Sequence, residues 1–104
     1  MEIDIRIESR VEAEVEVAEG ALRARDGVTI SRGRPSRAMD PVTVLSVAGS
    51  AASILQALCA LRDLWLSRGE GSVVAAENEA GQRVLIVQAT QEELERLLRP
   101  DENN

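Results

Sequence analysis

Apolar and charged residues alternate along the first segment of the chain, from Glu2 to Glu8. Ile3, Ile5 and Ile7 would lie on one side of an extended segment, and charged side chains on the other. Alternation with a period of two is typical of a β-strand that has one buried face. A second short strand is predicted at Gly27–Ser31, after turn residues at Asp26 and Gly27.

The intervening segment, residues 10–25, fits two periodicities. A strand would alternate Val11, Ala13, Val15 and Val17, whereas a helix would place Val11, Val15, Ala18 and Leu22 on one face. Because β-branched valines favour extended backbone, we prefer a strand over residues 11–17. A helix is the alternative.

The next apolar segment is a run of 21 residues without charge, Pro41–Leu61. Asp40 before Pro41 predicts a helix start, since Asp is a good N-cap and Pro suits the first helical position. Arg68 and Gly69 predict the end of this helix at about Ser67. A helix over 41–67 would be about 40 Å long. A domain of this size has a radius of gyration of about 13 Å. The helix would therefore overhang its own domain unless it breaks near Gly49, and both alternatives stay open.

Two faces can be distinguished on this predicted helix. The face expected to cover the sheet consists of Val44, Val47, Ala51, Ile54, Leu58, Leu61 and Trp65. A second face carries small residues that permit close approach of another backbone, namely Ser46, Ser50, Ser53, Ala57 and Ala60. This row either packs against the protein's own strands or forms an interface with another chain. A membrane span fits the length, but the polar side chains and the weakly basic flanks make it less favoured.

The C-terminal third predicts a hairpin and a helix. Strands at Ser72–Glu77 and Arg83–Gln88 flank a turn at Asn78–Gln82, and the second strand is apolar on both sides, which predicts a central position in the sheet. Thr90 and Glu93 have the spacing of a capping box, which predicts a helix to about Leu98. The predicted fold is α+β: a small, mostly antiparallel sheet of four or five strands packed against one long apolar helix, with a short C-terminal helix. Residues 1–100 form one domain, followed by a polar tail at 101–104.

Composition limits the chemistry of this chain. The net charge is −6, which disfavours nucleic-acid binding. The chain has no His and no Lys, so it lacks the usual general base and any amine for Schiff-base chemistry. We expect a protein that is not an enzyme and uses no cofactor and no metal. The acidic N-terminus has no signal-peptide pattern, so a cytoplasmic location is expected.

Two polar clusters remain as candidates. The loop arginines Arg32, Arg34 and Arg37 could bind an anion or an acidic peptide, although a solvated loop is the commoner meaning of such a run. The glutamates at 12, 14, 16 and 19 are interpreted as a solvated face rather than a metal site. Cys59, surrounded by apolar residues, is interpreted as a small hydrophobic side chain.

The order of these parts resembles a known family. An alternating first strand, a variable middle and an apolar helix that ends LRDLWLSR are followed by the hairpin SVVAAENEAGQRVLIVQAT and the helix EELERLL. This arrangement is similar to the first type of the effector-associated constant component families of bacterial conflict systems. The similarity covers residues 40–99 best, with Gly81, Gln82, Arg83 and Val84 at the entry to the second hairpin strand.

The resemblance implies a non-enzymatic adaptor or accessory subunit of a bacterial defence system. Members are thought to act beside effectors such as trypsin-like or caspase-like proteases. The expected partner is therefore a protein, such as an effector encoded nearby, and a homo-oligomer is expected from the small-residue row. No catalytic residue is implied by the resemblance.

Overall fold

A computed structural model describes residues 1–9, 12–33, 42–68 and 73–99. The elements in chain order are β1 (Glu2–Glu8), α1 (Glu12–Arg23), β2 (Val28–Arg32), β3 (Val42–Gly49), α2 (Ala51–Arg68), β4 (Val73–Glu77), β5 (Arg83–Leu85) and α3 (Gln91–Leu98). The predicted α+β class is confirmed. The strands predicted at Glu2–Glu8 and Gly27–Ser31 correspond to β1 and β2.

The described strands form one sheet in the order β2-β3-β1-β4-β5, and every neighbouring pair is antiparallel. β1 and β2 are joined through α1 but separated in the sheet by β3, and α2 connects β3 to β4 in the same way. The first four strands and two helices therefore have the β-α-β-β-α-β connectivity of ferredoxin-like proteins. β5 and α3 extend this unit at the β4 edge.

The described helices lie together on one face of the sheet, where α2 contacts both α1 and α3. Strands β1 and β3 contribute five residues to the hydrophobic core, each at most 2% exposed: the three isoleucines of β1, and Leu45 and Val47 of β3. The part of the predicted sheet-facing stripe that lies on α2 is confirmed as core, because Ile54, Leu58, Leu61 and Trp65 are buried there.

The helix predicted over Pro41–Ser67 is wrong in its first part, because Val42–Gly49 is a strand. Apolar residues lie on both sides of β3, so the run shows no clear alternation. Such a run fits a buried helix and a central strand equally well by periodicity. α2 has 18 residues, so one long apolar helix is not confirmed. The predicted cap at Asp40 and Pro41 lies outside the described residues.

The boundary between β3 and α2 falls at Gly49 and Ser50, where the length of the predicted helix suggested a break. A Cβ at Gly49 would overlap the carbonyl oxygen of Gly27, so the close approach of these two loops requires glycine. The Ser50 hydroxyl then accepts a hydrogen bond from the Ser53 backbone N–H at 3.2 Å. Ser50 is therefore the N-cap of α2.

The preferred strand over residues 11–17 is also wrong. Residues 12–23 form α1, whose buried residues Val15, Ala18 and Leu22 belong to the helical face that was the alternative. Packing of this face beside α2 outweighs the modest strand preference of valine. The crossover from β1 to β2 requires an element that covers the sheet, and α1 fulfils that role.

The predicted hairpin and C-terminal helix are both present. β4 pairs with β5, and Asn78 joins the turn to α3 through a hydrogen bond from its side-chain amide to the Leu97 carbonyl at 2.9 Å. The capping box is confirmed: the Thr90 hydroxyl accepts from the Glu93 N–H, and the Glu93 carboxylate accepts from the Thr90 N–H. The predicted central position of the second hairpin strand is wrong, because β5 ends at Leu85 and forms an edge.

Candidate interaction surface

One face of the sheet is not covered by any described helix. In β1 the isoleucines point toward the helices, so Asp4, Arg6 and Glu8 point to the opposite side. We call this side the open face. Strand register then determines which side chains of the other strands share it.

Residues on the open face form rows that run across the strands. A polar row contains Ser31, Ser46, Asp4, Glu77 and Arg83. The next row contains Val44, Arg6, Ala75 and Leu85, and the one after it contains Val42, Glu8 and Val73. The open face is therefore divided into a polar part and a part in which apolar side chains flank Arg6 and Glu8.

Four of the five residues in the polar row pair with one another. The Ser46 hydroxyl donates to the Asp4 carboxylate at 3.2 Å. Arg83 on β5 pairs with Glu77 on β4 at 3.3 Å. Exposed pairs of this kind contribute little to stability, and they leave few free groups in this row to recognise a ligand.

The apolar residues of the open face form a patch, defined as Val42, Val44, Val73, Ala75 and Leu85. Val73 is 49% exposed and Leu85 is 38% exposed. Val87, on the turn after β5, adds a further exposed apolar side chain at 41%. Val42 and Val44 are half-buried and Ala75 is buried, so Val73 and Leu85 are the most exposed residues of the patch. Exposed apolar residues that are bordered by polar ones are typical of an interaction site.

Arg6 and Glu8 lie within this patch on the central strand. Among the described residues, neither side chain forms a hydrogen bond or an ion pair. Arg6 is half-buried between Val44 and Ala75 in its row. With no partner among the described residues, its guanidinium has five N–H donors that a ligand or a partner chain could use.

The small-residue row predicted as a partner interface does not form a single surface. Ser46 lies on β3, Ser50 caps α2, and Ala57 is completely buried in the core. Ser53 packs beside Gly27, where a Cβ would lie 2.6 Å from the Ser53 hydroxyl oxygen. Ala60 is half-buried on α2. Of the five, only Ser46 is on the open face.

The predicted arginine loop is described only at Arg32; Arg34 and Arg37 lie outside the described residues. Arg32 forms ion pairs with Glu12 and Glu19 of α1, the latter at 3.2 Å. The hydrogen bond to Glu12 raises the pKa of the Arg32 guanidinium. This arginine therefore joins β2 to α1, and its charge is already balanced.

Few reactive or metal-binding side chains lie together among the described residues. No group of three or more potential ligands is arranged there to hold a metal ion. Cys59 is a half-buried free thiol on α2. A shallow hollow of about 250 Å³ between β5 and α3 is lined by Gln82, Val84, Glu93, Arg96 and Leu97. Its charged groups are engaged elsewhere, since Glu93 caps α3 and Arg96 pairs with Glu92.

Across the part of the chain that the structure describes, no helix is long and apolar enough to span a bilayer. Comparison with protein-family models, with curated proteins and with solved structures found no match to this chain.

Sequence analysis did not identify the apolar patch, although its signal is present. Val84, Leu85, Ile86 and Val87 are apolar on both sides of the strand, a pattern that predicts a central position. The structure places Ile86 in the core and leaves Leu85 exposed on the open face. Two-sided apolarity in this edge strand was therefore a signal that an apolar side chain would be exposed on the open face.

Proposed function

We propose that this protein is a non-enzymatic interaction module that binds protein partners through the open face of its sheet. The observation that carries this proposal is the apolar patch on a sheet face that no described helix covers. Covering apolar surface is favourable by about 25 cal/mol per Å². Val73 and Leu85 supply most of the exposed part of the patch.

The biological role we propose is that of an adaptor or assembling accessory subunit in a bacterial defence system. The similarity of residues 40–99 to the effector-associated constant component family supports this role. The partner would be an effector, such as a protease, encoded by a neighbouring gene, and the complex would form in the cytoplasm. The lack of His and Lys in the chain supports a role without catalysis.

Co-purification with the product of a neighbouring effector gene tests the proposal. The variant Leu85→Glu places a charge in the patch, and we expect it to lose the effector because a desolvated unpaired charge is costly. Leu66→Glu is the matched control, since Leu66 is 55% exposed on α2, away from the open face.

Circular dichroism and thermal melting should show that both variants fold as the wild type does. Loss of the effector with Leu85→Glu and retention with Leu66→Glu would support the open face as the binding surface. Equal binding by the two variants would contradict it.

A further inference from the structure

We propose that a second copy of this chain occupies the open face, with two β1 strands packed face to face in opposite directions. This inference rests on the proposed use of the open face for binding, and a second copy and an effector would compete for that face. It specifies one occupant and one symmetry axis, which crosses the strands between Arg6 and Glu8.

The charges of β1 support a second copy. Asp4 already accepts the Ser46 hydroxyl, whereas Arg6 and Glu8, of opposite sign, lack any partner within the described residues. In a symmetric dimer, two sheets packed face to face are related by a two-fold axis that lies in the plane between them. An isologous contact of this kind must be complementary to itself.

The direction of the axis follows from Arg6. An axis parallel to β1 and centred on it would place Arg6 over the partner's Arg6, and like charges would repel. An axis perpendicular to the strands and between the two rows places Arg6 opposite the partner's Glu8. The same operation places Glu8 opposite the partner's Arg6, so both unpaired charges are matched.

The positions of the apolar residues also support this position of the axis. It places Val44 opposite the partner's Val42 and Ala75 opposite the partner's Val73. Moving the axis by one row, between Asp4 and Arg6, would instead place Val44 opposite the partner's Ser46. That position would also place Arg6 opposite the partner's Asp4, but Asp4 already accepts the Ser46 hydroxyl. The apolar residues therefore favour the boundary between Arg6 and Glu8.

The strength of the contact is limited by its extent. The overlap covers two rows of side chains, so the buried area lies at or below the lower end for specific complexes, about 1,200 Å². Stacked sheets lie about 10 Å apart, a gap that Arg and Glu side chains can bridge together. We expect a weak dimer that forms reversibly as concentration rises and weakens as salt is added.

A charge-exchange experiment tests this geometry. Arg6→Glu alone and Glu8→Arg alone each create two like-charged pairs, and each should dimerise at least about tenfold more weakly than the wild type. An equimolar mixture of the two variants restores both opposite-charge pairs. Sedimentation equilibrium should therefore show a mixed dimer as strong as the wild-type dimer.

Arg96→Glu and Glu92→Arg provide the matched control, because this ion pair lies on the exposed surface of α3. Neither control variant should alter self-association, whether measured alone or mixed. If Arg6→Glu fails to fold, Arg6→Gln is used with Glu8→Gln, and each should weaken the dimer and reduce its salt dependence.

A wild-type protein that is monomeric at every concentration would overturn the inference. A mixture that associates no better than its separate components would do the same. Neither result depends on effector binding, which is measured separately by co-purification of the wild-type protein with the effector. The failure of the dimer and the failure of the proposed adaptor role are therefore distinguishable.

Discussion

Both faces of the sheet carry apolar residues, but these residues are buried to different extents on the two faces. On the covered face, Leu45 and Val47 of β3 pack against the helices and are completely buried. On the open face, Val42 and Val44 of the same strand are only half-buried. The difference shows that the described helices bury the apolar residues on one side of β3 and leave those on the other side partly exposed.

The strongest test of this comparison is truncation of neighbouring residues on β3. Leu45→Ala should lower the free energy of unfolding by about 3 kcal/mol, because it removes buried methyl groups and leaves a cavity. Val44→Ala, on the open face, should cost less than about 1 kcal/mol. Urea denaturation measures both, and equal losses would show that the open face is part of the core.

A buried polar residue should likewise contribute more to stability than a polar residue on the open face. Asn78 is 7% exposed and its side chain bonds to Ala80, Gln82 and Leu97. Asn78→Ala should cost about 2 kcal/mol, because backbone groups lose their partners. Ser46→Ala removes one bond on the open face and should cost less than about 0.5 kcal/mol. Thermal melting compares the two variants, and a larger loss for Ser46→Ala would contradict the assignment.

The helical structure of α1, one of the helices that cover the sheet, can be tested directly, because its sequence pattern favoured a strand. Gly20 is exposed within this helix, and a Cβ there would meet no atom within 4 Å. Gly20→Ala should raise the free energy of unfolding by about 0.5–1 kcal/mol, because alanine is the better helix former. Denaturant titration supplies the measurement. A loss of stability would indicate that residues 12–23 are not helical.

The smallest expected effect on stability concerns the patch itself. Leu85→Thr should change the free energy of unfolding by less than about 0.5 kcal/mol, since Leu85 already contacts solvent and threonine suits a strand. The same substitution should weaken partner binding, which pull-down with the effector can measure. A large loss of stability together with unchanged binding would contradict the prediction, because Leu85 would then serve folding rather than partner binding.

Different kinds of sequence signal had different success. The alternation of β1 and the capping box at Thr90 were predicted correctly, because each depends on residues close together in the chain. The segment 42–49 was assigned to a helix because its residues are apolar at nearly every position. Its β-branched residues, Val42, Thr43, Val44 and Val47, were a signal in favour of a strand.

The candidate site was harder to predict than the fold. Patch residues come from β3, β4 and β5 and meet only because β1 pairs with β3 and β4 and because β4 pairs with β5, so no spacing in the sequence joins them. The small-residue row was predicted instead, because that prediction assumed one continuous helix over residues 41–67. Once the chain turns at Gly49, that row is divided between a strand, a helix cap and the core.

By itself, the sequence determined the α+β class, the strands β1 and β2, the hairpin, and the cap and length of α3. These features follow from local periodicity and from hydrogen bonds between near neighbours. The lack of His and Lys also limits the chemistry, because composition is independent of how the chain folds. Only the tertiary structure decided that residues 42–49 form a central strand and that no described helix covers one side of the sheet. The physical reason is that an apolar side chain looks the same in the sequence whether helices cover it or a partner would.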